Sequence, residues 1–146
     1  MTNIPETEVP ANILKDSVVA QVAATYFAVA RKLERITQCS ATRGFILSTL
    51  RDGATPNQNQ IATQLGLDRT VVHRSIKTLV REGLLSEHKA KSGRAIHIRL
   101  TPKGHKYRSR LVGARVAADD KVRELLSAND RTRLVQLLKR VAELEL

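Results

Sequence analysis

Five residues between positions 69 and 77 have side chains suited to reading a polyanion that also offers polar edges. Thr70, His73, Arg74 and Lys77 recur at i, i+3, i+4 and i+7, so on a helix they form one stripe, with Arg69 at its N-terminal end. Hydroxyl, imidazole and guanidinium groups donate to base edges and phosphates, and the major groove of duplex DNA is wide enough to admit a helix. No acidic residue stands between Arg69 and Arg81, whereas a merely solvated helix face commonly mixes signs. The opposite face carries Val72, Ile76 and Leu79, which marks the side that should be buried.

The same imbalance appears on a larger scale. Of the formal net charge of +11, a net of +10 lies in residues 69–110, where twelve Lys or Arg face only Glu82 and Glu87. Elsewhere thirteen basic residues nearly cancel twelve acidic ones. A diffuse excess would only aid solubility, but an excess confined to one segment is the footprint expected of a polyanion partner.

Several elements must hold that stripe in place. Apolar residues at helical spacing from Leu14 through Ile36 predict a long first helix over 12–37. Ser40 is read as the cap of a second helix that carries Phe45, Ile46 and Leu50 inward and ends at Gly53. Asn57 with Gln60 is a capping box for a short helix, Gln58–Leu65, which Gly66 stops. Asp68 caps the stripe-bearing helix, and Gly83 closes it. Ala62, Gly66 and Val72 permit, in turn, a close helix approach, a tight turn and a plug at the crossing, the offsets of a helix-turn-helix.

Residues 84–89 and 95–100 read as strands around the turn residues Lys91-Ser92-Gly93, with Ile96, Ile98 and Leu100 alternating against His97 and Arg99. Lys89, Lys91 and Arg94 bracket the turn, and an Arg on such a tip suits the narrow, negative minor groove. Thr101-Pro102 opens a long helix to about 126, and Ser127 with Asp130 opens the last. The expected fold is therefore mainly α with a small β-hairpin wing. A tail, 1–11, is followed by a helix-turn-helix and wing in 40–101, with helical regions 12–39 and 102–146 whose apolar faces call for a two-fold partner.

After residue 11 the chain resembles the MarR-type winged helix-turn-helix regulators. The likeness rests on Asn57-Gln58-Asn59-Gln60-Ile61-Ala62-Thr63-Gln64-Leu65-Gly66-Leu67-Asp68-Arg69-Thr70, on 79–85, and on a wing similar to that family's D-x-R-x-x-x-L-x-L-T-x-x-G pattern. Here the pattern runs from Ser92-Gly93-Arg94 through Ile98, Leu100 and Thr101 to Gly104. Ser92 replaces the wing Asp, so the carboxylate that would partly neutralise a nearby Arg is missing. The resemblance implies a homodimer on a palindromic or near-palindromic site in double-stranded DNA. It also implies repression relieved by a small molecule, and contacts from Asn57, Gln58, Asn59, Arg69, Thr70, His73, Arg74, Lys77, Lys89, Lys91, Ser92 and Arg94.

By position in that family, Tyr26, Phe27, Arg31, Arg43 and Phe45 offer aromatic surface plus a cation, fit for an aromatic or phenolic ligand. Apolar core is the default for Phe27 and Phe45. Cys39, with Arg35 and Arg43 four residues to either side, opens the alternative of a redox-switched repressor, although an inert buried thiol is the default. A protein that coats duplex without sequence choice is a further alternative, but coating requires only cations, not Thr70, His73 and Asn59.

All four His (73, 88, 97, 105) lie in the basic segment without an acid or Cys at metal-ligand spacing, so no metal or cofactor is expected. No phosphate loop and no nucleophile–base pair points to an enzyme. One Cys and the lack of a signal-like start or an apolar span predict a cytoplasmic protein.

Overall fold

A computed structural model describes residues 15–91, 93 and 95–145. Its elements run α1 (Val18–Thr37), α2 (Ala41–Thr49), α3 (Gln58–Leu65), α4 (Arg69–Arg81), β1 (Leu85–Lys89), β2 (Ile96–Leu100), α5 (Pro102–Leu125) and α6 (Ala128–Ala142). The chain forms two compact units, Met1–Ala41 and Thr42–Leu146.

In the first unit α1 begins later than its apolar pattern suggests. Residues 15–17 are not helical, and the Ser17 side chain accepts from the Ala20 N–H, taking up one of the donors a helix start leaves unpaired. Leu14 lies outside the described residues. The helix ends at Gln38 in a left-handed conformation, φ 56°. The Ala41 N–H donates to Glu34 Oε1 at 2.9 Å, so a carboxylate from α1 serves where Ser40 was expected to cap.

The second unit is built on α3, α4 and the hairpin. Asn57 and Gln60 form the expected reciprocal capping box, and Gly66 (φ 62°) turns the chain in a conformation that a side chain would strain. Ile46, Leu47, Ile61, Val72, Ile76, Leu79 and Ile98 are fully buried, with Leu50, Ala62, Leu84, Leu85 and Leu111 around them. Two expectations for α2 fail. It stops at Thr49 rather than reaching Gly53, and Phe45 points outward at 43% exposure. With Gly44, Ile46 and Leu47 buried, a nine-residue helix turns its core face away from position 45.

The hairpin is antiparallel and in register from Leu85↔Leu100 to Lys89↔Ile96, closed by the Ala90 N–H on the Ala95 carbonyl at 3.0 Å. Its root is tied to the start of α3. The Ile98 N–H donates to Pro56 O at 2.9 Å, and His97 Nδ1 donates to Thr55 O at 2.5 Å. The Thr101 hydroxyl accepts the Gly104 N–H and donates to Gly83 O at 2.6 Å, fixing the start of α5 to the end of α4. Among the described residues no helix is long and apolar enough to cross a membrane.

Candidate nucleic-acid interface

The stripe-bearing helix starts where its sequence requires. Asp68 Oδ1 accepts from the Thr70 N–H at 2.7 Å and from the Val71 N–H at 3.3 Å. Those two backbone donors hold the Asp68 carboxyl below the usual carboxylate range. From there α4 runs 13 residues, a rod of about 20 Å. Val72, Ile76 and Leu79 are fully buried, while Arg69, Thr70, His73, Arg74 and Lys77 are all exposed on the opposite side. A rigid, cationic and hydrogen-bonding face is thus presented by a helix whose rear is locked into the core. Among the described residues no carboxylate pairs with Arg69 or Arg74.

The other candidates divide by what their side chains already do. Asn57 Oδ1 accepts the Gln60 N–H at 2.9 Å, so its carboxamide oxygen is used in starting α3. Asn59 is exposed at the second position of that helix. Gln58 is half-buried, with Oε1 2.8 Å from His73 Nδ1 and Nε2 3.5 Å from Glu87 Oε1. Lys89 and Lys91 are exposed at the hairpin end. Ser92 and Arg94 lie outside the described residues.

Two residues not singled out in the sequence, Glu87 and Val71, lie at this surface, and a third, Arg115, lies on α5. Glu87 sits in the basic field, with Oε2 3.3 Å from Lys77 Nζ and its side chain 22% exposed. Its signal was available: with Leu85 buried, a two-residue period puts Glu87 on the strand face turned to the helices. Val71 is exposed beside Thr70, an apolar group that could meet a thymine methyl. Arg115 of α5 lies over the Phe45 ring, 4.8 Å from its centroid, and donates to Ser48 Oγ at 2.7 Å. Nothing in sequence spacing brings residues 45 and 115 together.

The candidates for a small ligand fare unevenly. Tyr26 and Phe27 form an edge-to-face pair, centroids 5.5 Å apart, and Phe27 is 61% exposed, so neither Phe27 nor Phe45 takes the core place that was its default. Arg31 is exposed. Arg43 is engaged by Glu82 Oε1 at 2.8 Å. Cys39 is 5% exposed, which does not match the accessible setting a sensing thiol requires. His88 and His97 face each other in the hairpin register, but His88 Nε2 meets Ser86 Oγ at 2.9 Å while His97 meets the Thr55 carbonyl. Among the described residues no three His, Cys, Asp or Glu are grouped to hold a metal ion.

A buried-backed helix after a tight turn, followed by a pinned hairpin, defines a winged helix, and residues 43–104 match the family model described as winged helix DNA-binding domain. The described residues have the fold of solved MarR-type regulators, as the resemblance implied. It is similar to the PcaV transcriptional regulator from Streptomyces coelicolor, solved in complex with its natural ligand, at 22% identity, covering 92% of this chain and 98% of that one, TM-score 0.82. It is similar to the transcriptional repressor CouR, bound to a 23-mer DNA duplex, at 24% identity, covering 94% and 100%, TM-score 0.81. A third structure, the MarR family transcription regulator SP03579, is 18% identical over 85% of each chain, TM-score 0.76. No curated protein matches the chain in sequence.

Proposed function

We propose that this chain is a sequence-specific, duplex-DNA-binding transcriptional regulator that acts as a homodimeric repressor and is released by a small aromatic anion. One observation carries the reading: the exposed face of α4 combines Arg69, Thr70, His73, Arg74 and Lys77 while Val72, Ile76 and Leu79 anchor its rear. Guanidinium and ammonium groups supply affinity for phosphates; the hydroxyl and imidazole supply the discrimination between base edges that a coating protein lacks. Residues 40–101 serve as the reading module, with Arg94 of the wing as a minor-groove contact proposed from the sequence alone. Residues 12–39 and 102–146 serve dimerisation, which the exposed Leu134, Leu137 and Leu138 of α6 favour.

The effector reading rests on Phe45 with Arg115 over its ring. An aromatic acid stacks on the one and pairs with the other. Tyr26, Phe27 and Arg31 remain candidates on residue type, and Arg43 is already held by Glu82.

The test is an anisotropy titration on duplex DNA from the region upstream of the gene, against random duplex, with His73→Ala and Thr70→Ala alongside. Wild type should prefer the specific duplex, and each variant should lose preference at particular base pairs. Equal losses on specific and random duplex would refute sequence reading by α4. A panel of aromatic acids then tests release, which Arg115→Ala should weaken while leaving DNA affinity intact.

A further inference from the structure

The groups behind His73 determine what that side chain can ask of a base. Glu87 on β1 pairs through Oε2 with Lys77 Nζ at 3.3 Å, and as a carboxylate it only accepts hydrogen bonds. Its Oε1 lies 3.5 Å from Gln58 Nε2. Turning the Gln58 amide over would put two oxygens against each other, so the carboxylate holds the NH₂ towards itself and Oε1 towards His73. That oxygen is 2.8 Å from His73 Nδ1, and an amide oxygen can only accept. Nδ1 therefore carries the proton, and in the neutral imidazole Nε2 keeps a lone pair. His73 itself is exposed on the reading stripe, between Thr70 and Lys77.

We infer that His73 presents Nε2 to the major groove as a hydrogen-bond acceptor and selects a base pair through an exocyclic amino group, adenine N6 or cytosine N4. In that groove guanine offers O6 and N7 and thymine offers O4, all acceptors; each base pair carries one amino group, on its adenine or cytosine, so Nε2 discriminates by the strand on which that base lies. His73 thus reads the opposite class of base from the guanine that Arg74 or Lys77 would favour. Glu87 and Gln58 act as positioning residues: neither touches the base, but together they set the tautomer. The inference rests on α4 being the reading helix, as proposed above.

The experiment selects preferred sites for the full-length protein from a randomised duplex pool. Affinities are then measured on the best site with each adenine replaced by purine, or each cytosine by 2-pyrimidinone, both lacking the amino group. At one base pair in each half-site the wild type should bind the analogue on the order of tenfold more weakly. His73→Ala should bind both duplexes equally there, and any loss intrinsic to the weaker base pair appears in this variant too. Glu87→Gln, whose amide either donates or accepts, should relax the choice at that base pair beyond any change caused by releasing Lys77, which Lys77→Ala measures separately. A purely electrostatic role for Glu87 would instead shift affinity for every sequence alike. The absence of any position where removing an amino group, on either strand, weakens the wild type, or an analogue penalty that survives His73→Ala at every position, would overturn the inference while leaving sequence reading intact. If no sequence is selected at all, the functional reading beneath it falls.

Discussion

At the scale of single residues, the start of α4 depends on Asp68. Its pKa is lowered in the folded chain by the Thr70 and Val71 N–H groups. A carboxyl whose folded pKa lies below its unfolded value stabilises the fold above the unfolded value, and that contribution is lost as pH falls through the folded one. Asp68→Asn keeps an acceptor but does not titrate. The stability gap between wild type and Asp68→Asn, measured by urea unfolding, should therefore be largest at neutral pH and close in acid. A gap that stays constant with pH would remove Asp68 from the cap. The cap was legible in the sequence because it is local, three residues deep. The Arg115–Phe45 stack was not, since 70 positions separate partners that only the fold brings to 4.8 Å.

At the scale of elements, the end of α4, the root of the hairpin and the start of α5 meet at close quarters. A Cβ on Gly104 would lie 2.0 Å from the Leu84 carbonyl oxygen, which already accepts the Thr101 N–H at 3.1 Å. Backbone on both sides cannot yield as a flexible side chain would. Gly104→Ala should cost about 1–3 kcal/mol and loosen α5 from the root of the wing, seen as a lower midpoint in thermal or urea unfolding. Ile76→Ala, behind the reading stripe, should cost about 2–5 kcal/mol as a buried cavity. An unfolding curve unchanged by either would contradict the packing described. Helix and strand identities follow from periodicity and caps, but α2 shows the limit: apolar residues at 45, 46 and 50 could not say which of them faces inward.

At the scale of the molecule, charge is partitioned so that one segment carries a net of +10. Binding to duplex should weaken steeply with salt as condensed counterions are released. Arg74→Ala should reduce the magnitude of the slope of log affinity against log salt by about 1. An unchanged slope would mean that Arg74 does not meet a phosphate. The exposed leucines of α6 carry a second expectation: the chain should sediment as a dimer, and Leu137→Asp with Leu138→Asp should shift it to monomer and abolish cooperative occupancy of two half-sites one DNA turn apart, about 34 Å.

The order of elements, the caps at Asn57, Asp68, Thr101 and Ser127, the turn at Gly66 and the amphipathic split of α4 are written in the sequence, because each is a short-range matter of period and backbone chemistry. Tertiary structure alone decided the exposure of Phe45, the burial of Cys39 and the meeting of Gln58, His73, Glu87 and Lys77 from α3, α4 and β1. Those contacts join three elements across up to 29 positions, and no local periodicity encodes which side chains will share a hydrogen bond there. The sequence determined which face of α4 is polar, and the fold determined that His73 Nδ1 is turned to Gln58 Oε1.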